Sequence, residues 1–200
     1  IRGLCAHREA PEAIDGLIAA LGTRYPKVAA KAAVALCTLQ GTDAIDRLCA
    51  MWSQSRDEEL GRIISECGYV ASGPIEVTVL TTLQGGEPFE AERADELPAI
   101  VLYLDDQDAA VRGLAERSLQ GMSSGPIRDA LCELAIQEPA GAAARVCVGQ
   151  GYRPRDEERA ALFLLVTRQL DAYFEEDDGF EMLRREYERA DPRVQAQVME

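Results

Sequence analysis

The sequence predicts an all-α protein, an α-solenoid of stacked antiparallel helix pairs. Three observations predict it. Apolar residues recur at helical spacing in one segment after another. A helix pair returns after 31 residues, judged from Ile14 and Ile45. A longer block returns after 83 residues, the distance from Val28 to Val111 (111 − 28 = 83) and from Val111 to Val194. Fixed-period self-similarity marks repeat architectures, in which each unit buries its apolar face against the next.

The elements follow in order. PEAIDGLIAALG at 11–22 places Ile14, Leu17, Ile18 and Leu21 on one helical face, with Gly22 as a stop. After the turn TRYP, residues 26–40 carry Val28, Ala32, Leu36 and Leu39 on one face. Pro26 suits the first turn of that helix, and Gly41 is read as its end. TDAIDRLCAMW restates PEAIDGLIAAL, and a partner helix follows at about 57–70, DEELGRIISECGYV. The β-branched run IEVTVL is compatible with a strand. The spacing of Ile75, Val79, Leu80 and Leu83, and Gly73-Pro74 before them, favour a helix. GGEPFEAERADE is then an irregular insertion at about 84–96, a loop with one short helical turn, suited to a bend or a contact loop. Glu138-Pro139-Ala140-Gly141 makes a helix-poor start to a later second helix.

The 83-residue register recurs along the chain. Leu17, Ile100 and Leu183 match in first helices, and Asp108 and Asp191 match as N-caps of second helices. Leu48-Cys49 returns as Leu131-Cys132, and Gly68-Tyr69 as Gly151-Tyr152. Val79, Leu80 and Leu83 return as Leu162, Phe163 and Val166. Ser72-Gly73-Pro74-Ile75 has an echo at Ser124-Gly125-Pro126-Ile127 that falls off this register. Residues 1–200 therefore read as one repeat domain. The opening IRGLC resembles VRGLA at 111–115, inside an amphipathic helix. The chain is thus expected to begin and stop within second helices of a longer parent protein.

Composition bounds the function. Apolar residues make up 47% and charged residues 28%, a foldable composition. The net charge of −14, from 35 acidic and 21 basic residues, opposes binding to phosphate backbones or anionic membranes. No apolar run is long enough to span a bilayer. The six cysteines show no metal-ligand spacing and read as small core residues of a cytoplasmic, reducing compartment, the repeat-equivalent Cys49 and Cys132 above all. His7 is the one histidine, and with Cys5 it lacks convergent partners for acid–base or metal chemistry. The Gly-rich stretches lack the lysine of a phosphate loop. EEDDGFE at 175–181 fails the calcium-loop pattern: with Gly179 at position six, Phe174 and Arg185 would occupy the end positions. No catalytic residue, cofactor or metal is therefore expected. Trp52 reads as packed against an inter-helix turn, and the equivalent Tyr69 and Tyr152 read as structural.

PEAIDGLIAALG, TDAIDRLCAMW and DELPAIVLYLDDQDAAVRGLAERSLQG resemble bacterial members of the HEAT-repeat family. Asp108, Val111 and Arg112 match the family's Asp and Val-Arg opening of second helices; at the next copy Arg193 precedes Val194 instead of following it. The resemblance implies a right-handed α-solenoid whose second helices line a concave face used for protein–protein contact. It also implies a parent that is a large multidomain protein, sometimes with β-propellers nearby. On that face Lys27, Lys31, Arg62, Arg112 and Arg145 become the tentative partner-binding residues. Glu58, Arg62 and Glu66 form a helical ladder, Arg112 and Glu116 pair in the same way, and Arg145 has no local acid. The leading expectation is a non-catalytic scaffold that binds an unknown protein or another domain of its own parent, with no nucleic acid and no membrane. The alternatives are a bilin-lyase-like enzyme and a passive spacer or oligomerisation arm. A DNA-glycosylase role, also known among HEAT-like proteins, conflicts with the charge.

Overall fold

The computed structural model describes residues 2–7, 10–120, 122, 124–176, 180–190 and 192–198. The described residues are all-helical, with no strand. The helices are α1 (Arg2–Ala6), α2 (Pro11–Leu21), α3 (Pro26–Leu36), α4 (Thr42–Ser55), α5 (Glu58–Cys67), α6 (Ile75–Gln84), α7 (Leu97–Leu102) and α8 (Ala109–Gln120). They continue with α9 (Gly125–Gln137), α10 (Ala142–Gln150), α11 (Glu157–Val166), α12 (Leu170–Glu176), α13 (Glu181–Arg189) and α14 (Pro192–Val198). Short 3-10 turns, Ala94–Glu96 and Tyr103–Asp105, flank α7. Two expectations, Gly179 in the acidic turn and Asp191 as an N-cap, lie outside the described residues, as do Ile1, Glu200 and the Leu183 side chain.

Local chemistry accounts for the helix ends. Proline opens α2 and α3, where its missing N–H costs nothing. Asp57, Asp108 and Asp156 each accept a backbone N–H from the first turn of α5, α8 and α11, at 2.8–3.0 Å. Gly68 and Gly151 stop α5 and α10 in the left-handed conformation, with φ of 64° and 65°. IEVTVL is helical, within α6. The helix expected over 26–40 ends earlier, at Leu36, with a turn at Cys37-Thr38. Gly41 instead precedes α4 in extended backbone.

The 83-residue register reaches the structure. Pro11, Pro26 and Thr42 open α2, α3 and α4; 83 positions on, Ala94 opens the 3-10 turn before α7, Ala109 opens α8, and Gly125 opens α9. Pro192, a further 83 beyond Ala109, opens α14. Long-range hydrogen bonds repeat too. The Tyr69 hydroxyl bonds the Leu36 carbonyl at 2.8 Å, and Tyr152 bonds the Leu119 carbonyl at 3.0 Å. The Asp46 carboxylate holds the Ser72 N–H at 2.7 Å, and Asp129 holds the Arg155 N–H at 3.0 Å. Both residues of each bond shift by 83. The copies differ where α12 stands, because its register counterpart in the first block, 87–93, is loop.

The chain divides into two compact units, residues 1–89 with 108–114, and residues 90–107 with 115–200. In the first, α2 packs on α3 and α4, and α4 on α5 and α6. Its core holds Ile14, Leu17, Leu36, Leu48, Ile63, Ile64, Leu80 and Leu83. Trp52 is buried there against Gly61, with the Arg56 guanidinium over its ring at 5.4 Å. In the second unit α9 packs on α7, α10 and α11, and α11 on α12, α13 and α14. Leu97, Ile100, Leu131, Cys132, Phe163 and Tyr173 form its core. In each unit alternate helices are in contact, α2 with α4 and α4 with α6 in the first, α7 with α9 and α9 with α11 in the second.

Candidate functional site

The five cations read from the sequence have different surroundings. Lys27 and Lys31 lie one turn apart on α3, both exposed. Neither ammonium group makes an ion pair among the described residues. Lys31 borders an apolar groove of about 430 Å³ between α1 and α3, lined also by Cys5, Ala30, Val34, Ala35 and Thr38. The Cys5 thiol lies 4.0 Å from the Lys31 carbonyl, joining the two walls. Val34 is 64% exposed. One turn before Pro26, Arg24 stacks on the exposed Tyr25 ring at 5.1 Å and donates to its hydroxyl at 3.0 Å. Arg24, Lys27 and Lys31 make this end of α3 basic in a chain of net charge −14.

Arg62 lies in a different environment. It borders an acidic cleft of about 810 Å³ with Asp57, Glu58, Glu59, Glu66 and Gln84. Its guanidinium is forked by Glu59 at 2.6 and 3.1 Å and bonded by Glu66 at 2.6 Å. The partner three residues back is therefore Glu59, not Glu58 as the ladder reading had it, because Glu59 offers both oxygens to the fork. These bonds hold the Glu59 carboxyl below its usual range and raise Arg62 further. Arg112 is half-buried on α8. Arg145, without a local acid in the sequence, bonds Asp105 at 2.6 Å, forty residues away in the chain. Of the five cationic groups, those of Lys27 and Lys31 thus make no ion pair or hydrogen bond among the described residues.

The residue missed by the sequence reading is Val34. Its signal was present: it falls outside the Val28, Ala32, Leu36, Leu39 stripe, so an apolar side chain had to face away from the core. A second apolar feature lies in the other unit, where Tyr173 contacts Phe174 and Phe180 with ring centroids 5.5 and 5.8 Å apart. Phe174 and Phe180 are half-exposed.

The cysteines divide by environment. Cys49, Cys132 and Cys147 are buried, as core packing requires, and burial pushes the Cys49 thiol up to about 12. Cys5 and Cys67 are half-exposed and Cys37 is exposed, against the core expectation. All six are free thiols. Among the described residues no three His, Cys, Asp or Glu side chains converge as a metal site, and no helix is long and apolar enough to cross a membrane. No protein-family model, curated protein or solved structure matches the chain.

Proposed function

We propose that the chain is a non-catalytic protein-interaction scaffold, an α-solenoid of HEAT-like repeats from a cytoplasmic bacterial protein. Its partner docks on the second helix α3. The groove beside Val34, bordered by Lys31 and followed along α3 by Lys27, carries this reading. An exposed aliphatic side chain in an apolar recess supplies an anchor position, and desolvated anchors dominate interface energies. Ammonium groups without ion-pair partners among the described residues favour an acidic partner segment by charge complementarity. Arg62 and Arg145 contribute less, because Glu59, Glu66 and Asp105 already neutralise them.

The test uses the chain as bait, with cross-linking and mass spectrometry to locate the contact. The expected partner cross-links at Lys27 or Lys31 through a segment rich in Asp and Glu. A synthetic peptide of that segment should bind at least tenfold more weakly, about 1.4 kcal/mol, to Val34→Glu or to the Lys27→Glu, Lys31→Glu double variant. Equal binding by all three proteins would refute the site.

A further inference from the structure

Cysteine is among the most buried residue types, so an exposed thiol needs its own explanation. Cys37 is exposed at the C-terminal cap of α3. Its neighbour is Cys67, the half-exposed last residue of α5, close enough for Cys37 to raise its thiol. Tyr69 holds the two helix ends together. Its hydroxyl donates to the Leu36 carbonyl at 2.8 Å and accepts the Leu39 N–H at 3.0 Å, straddling Cys37. Leu36 adjoins one cysteine and Tyr69 lies two residues after the other, so the end of α5 is clipped to the end of α3.

The duplication shows that these thiols are not needed for packing. The clip recurs as Tyr152 on Leu119, yet the register counterparts of Cys37 and Cys67 are Gln120 and Gln150. Cys49 and Cys132, in contrast, occupy equivalent buried positions. The dithiol is an addition to one copy of a joint that holds without it in the other.

We propose that Cys37 and Cys67 form a redox-modification site, a dithiol that a hydroperoxide converts to an intramolecular disulfide. The Cys37 thiolate, which faces solvent, attacks a peroxide oxygen. The O–O bond breaks, Cys37 becomes a sulfenic acid, and water leaves. The Cys67 sulfur then attacks the Cys37 sulfur; the S–S bond forms, the S–O bond breaks, and a second water carries away the oxygen and the Cys67 proton. Two thiols lose two electrons and hydrogen peroxide becomes two waters. A small monothiol such as glutathione reverses the step by exchange, becoming oxidised to its own disulfide. Burial, and then the neighbouring Cys37 thiol, push the Cys67 thiol up to about 12, which leaves Cys37 as the one to react first. The bridge would close residues 37–67 into a loop and lock α3 to α5 next to Thr38, a wall of the groove.

The full chain, treated with a small excess of hydrogen peroxide, is blocked, unfolded, assayed for thiols and mapped without reduction. The expected result is loss of two of the six thiols and one cross-linked peptide pair carrying Cys37 and Cys67. The product should carry no intermolecular disulfide and recover with glutathione. Cys67→Ser should halt at a Cys37 sulfenic acid, trapped by a 1,3-dicarbonyl reagent, and Cys37→Ser should keep all its remaining thiols. Retention of all six thiols would overturn the proposal. So would dimers cross-linked through Cys37, or a bridge between Cys132 and Cys147, whose sulfurs lie 4.0 Å apart but are buried.

Discussion

Tyr69 and Tyr152 perform the same task in different surroundings. Both hydroxyls reach back some thirty residues to carbonyls at the end of a preceding helix. Tyr69 is buried and also satisfies the Leu39 N–H, whereas Tyr152 is half-exposed and donates to Leu119 and Gln120 carbonyls. A buried donor left without its acceptor costs more than a bond that water can replace. Tyr69→Phe should therefore destabilise by about 1–3 kcal/mol and Tyr152→Phe by about 1 kcal/mol or less, measured by urea unfolding. Equal losses would show that burial does not set the difference. That both tyrosines are structural was legible, since they stand 83 residues apart after a glycine. Their acceptors were not, because a hydrogen bond across thirty residues leaves no mark in local spacing. Arg145 shows the same limit, since its acid lies forty residues upstream.

Helix α6 shows how one element resolves a conflict between propensity and pattern. IEVTVLTTL is rich in β-branched residues, yet it forms a helix. Its threonines fold their hydroxyls back onto the helix: Thr81 bonds the Val77 carbonyl and Thr82 the Thr78 carbonyl, each at 2.9 Å. The buried Thr81 hydroxyl also accepts the Ala71 N–H at 3.1 Å, linking the helix to the chain before it. Helix α5 depends on a small residue for its own packing. A Cβ on Gly61 would lie 2.9 Å from the Trp52 indole nitrogen and 3.3 Å from the Gln84 amide nitrogen. Trp52 is buried and has little room to withdraw. Gly61→Ala should thus cost about 1–3 kcal/mol despite alanine's better helix propensity, and Trp52→Phe in the same background should recover part of the loss. A stabilised Gly61→Ala protein in calorimetry would mean that α4 and α5 separate freely.

At the scale of the whole molecule, net charge competes with the ion pairs that join its helices. Arg47 binds Asp15 at 2.9 Å between α2 and α4, and Glu158 receives both Arg185 and Arg189, at 2.9 and 2.6 Å. The Arg47 bond holds the Asp15 carboxyl below its usual range, so this contact persists above the ordinary aspartate pKa and is lost as pH falls through the lowered value. Exposed pairs of this kind contribute little each, whereas self-repulsion from an excess of 14 acids acts over the entire surface. Raising salt from about 0.01 M to 0.15 M shortens the Debye length from about 30 Å to about 8 Å. The melting temperature should rise over that interval; a fall would show that the ion pairs outweigh the repulsion.

The sequence by itself determined the helical class, most helix positions and the 83-residue duplication. Helical hydrogen bonds and apolar periodicity are local, and a duplicated sequence repeats its local instructions. Only the tertiary structure decided which charges were already satisfied, which cysteines became neighbours and that Val34 borders a groove. Those outcomes depend on how helices remote in sequence pack together. The end of α3 shows this difference. Pro26 announced where the helix begins and the apolar stripe leaves Val34 off the core face, but the early stop, the clip by Tyr69 and the exposure of Cys37 came from packing.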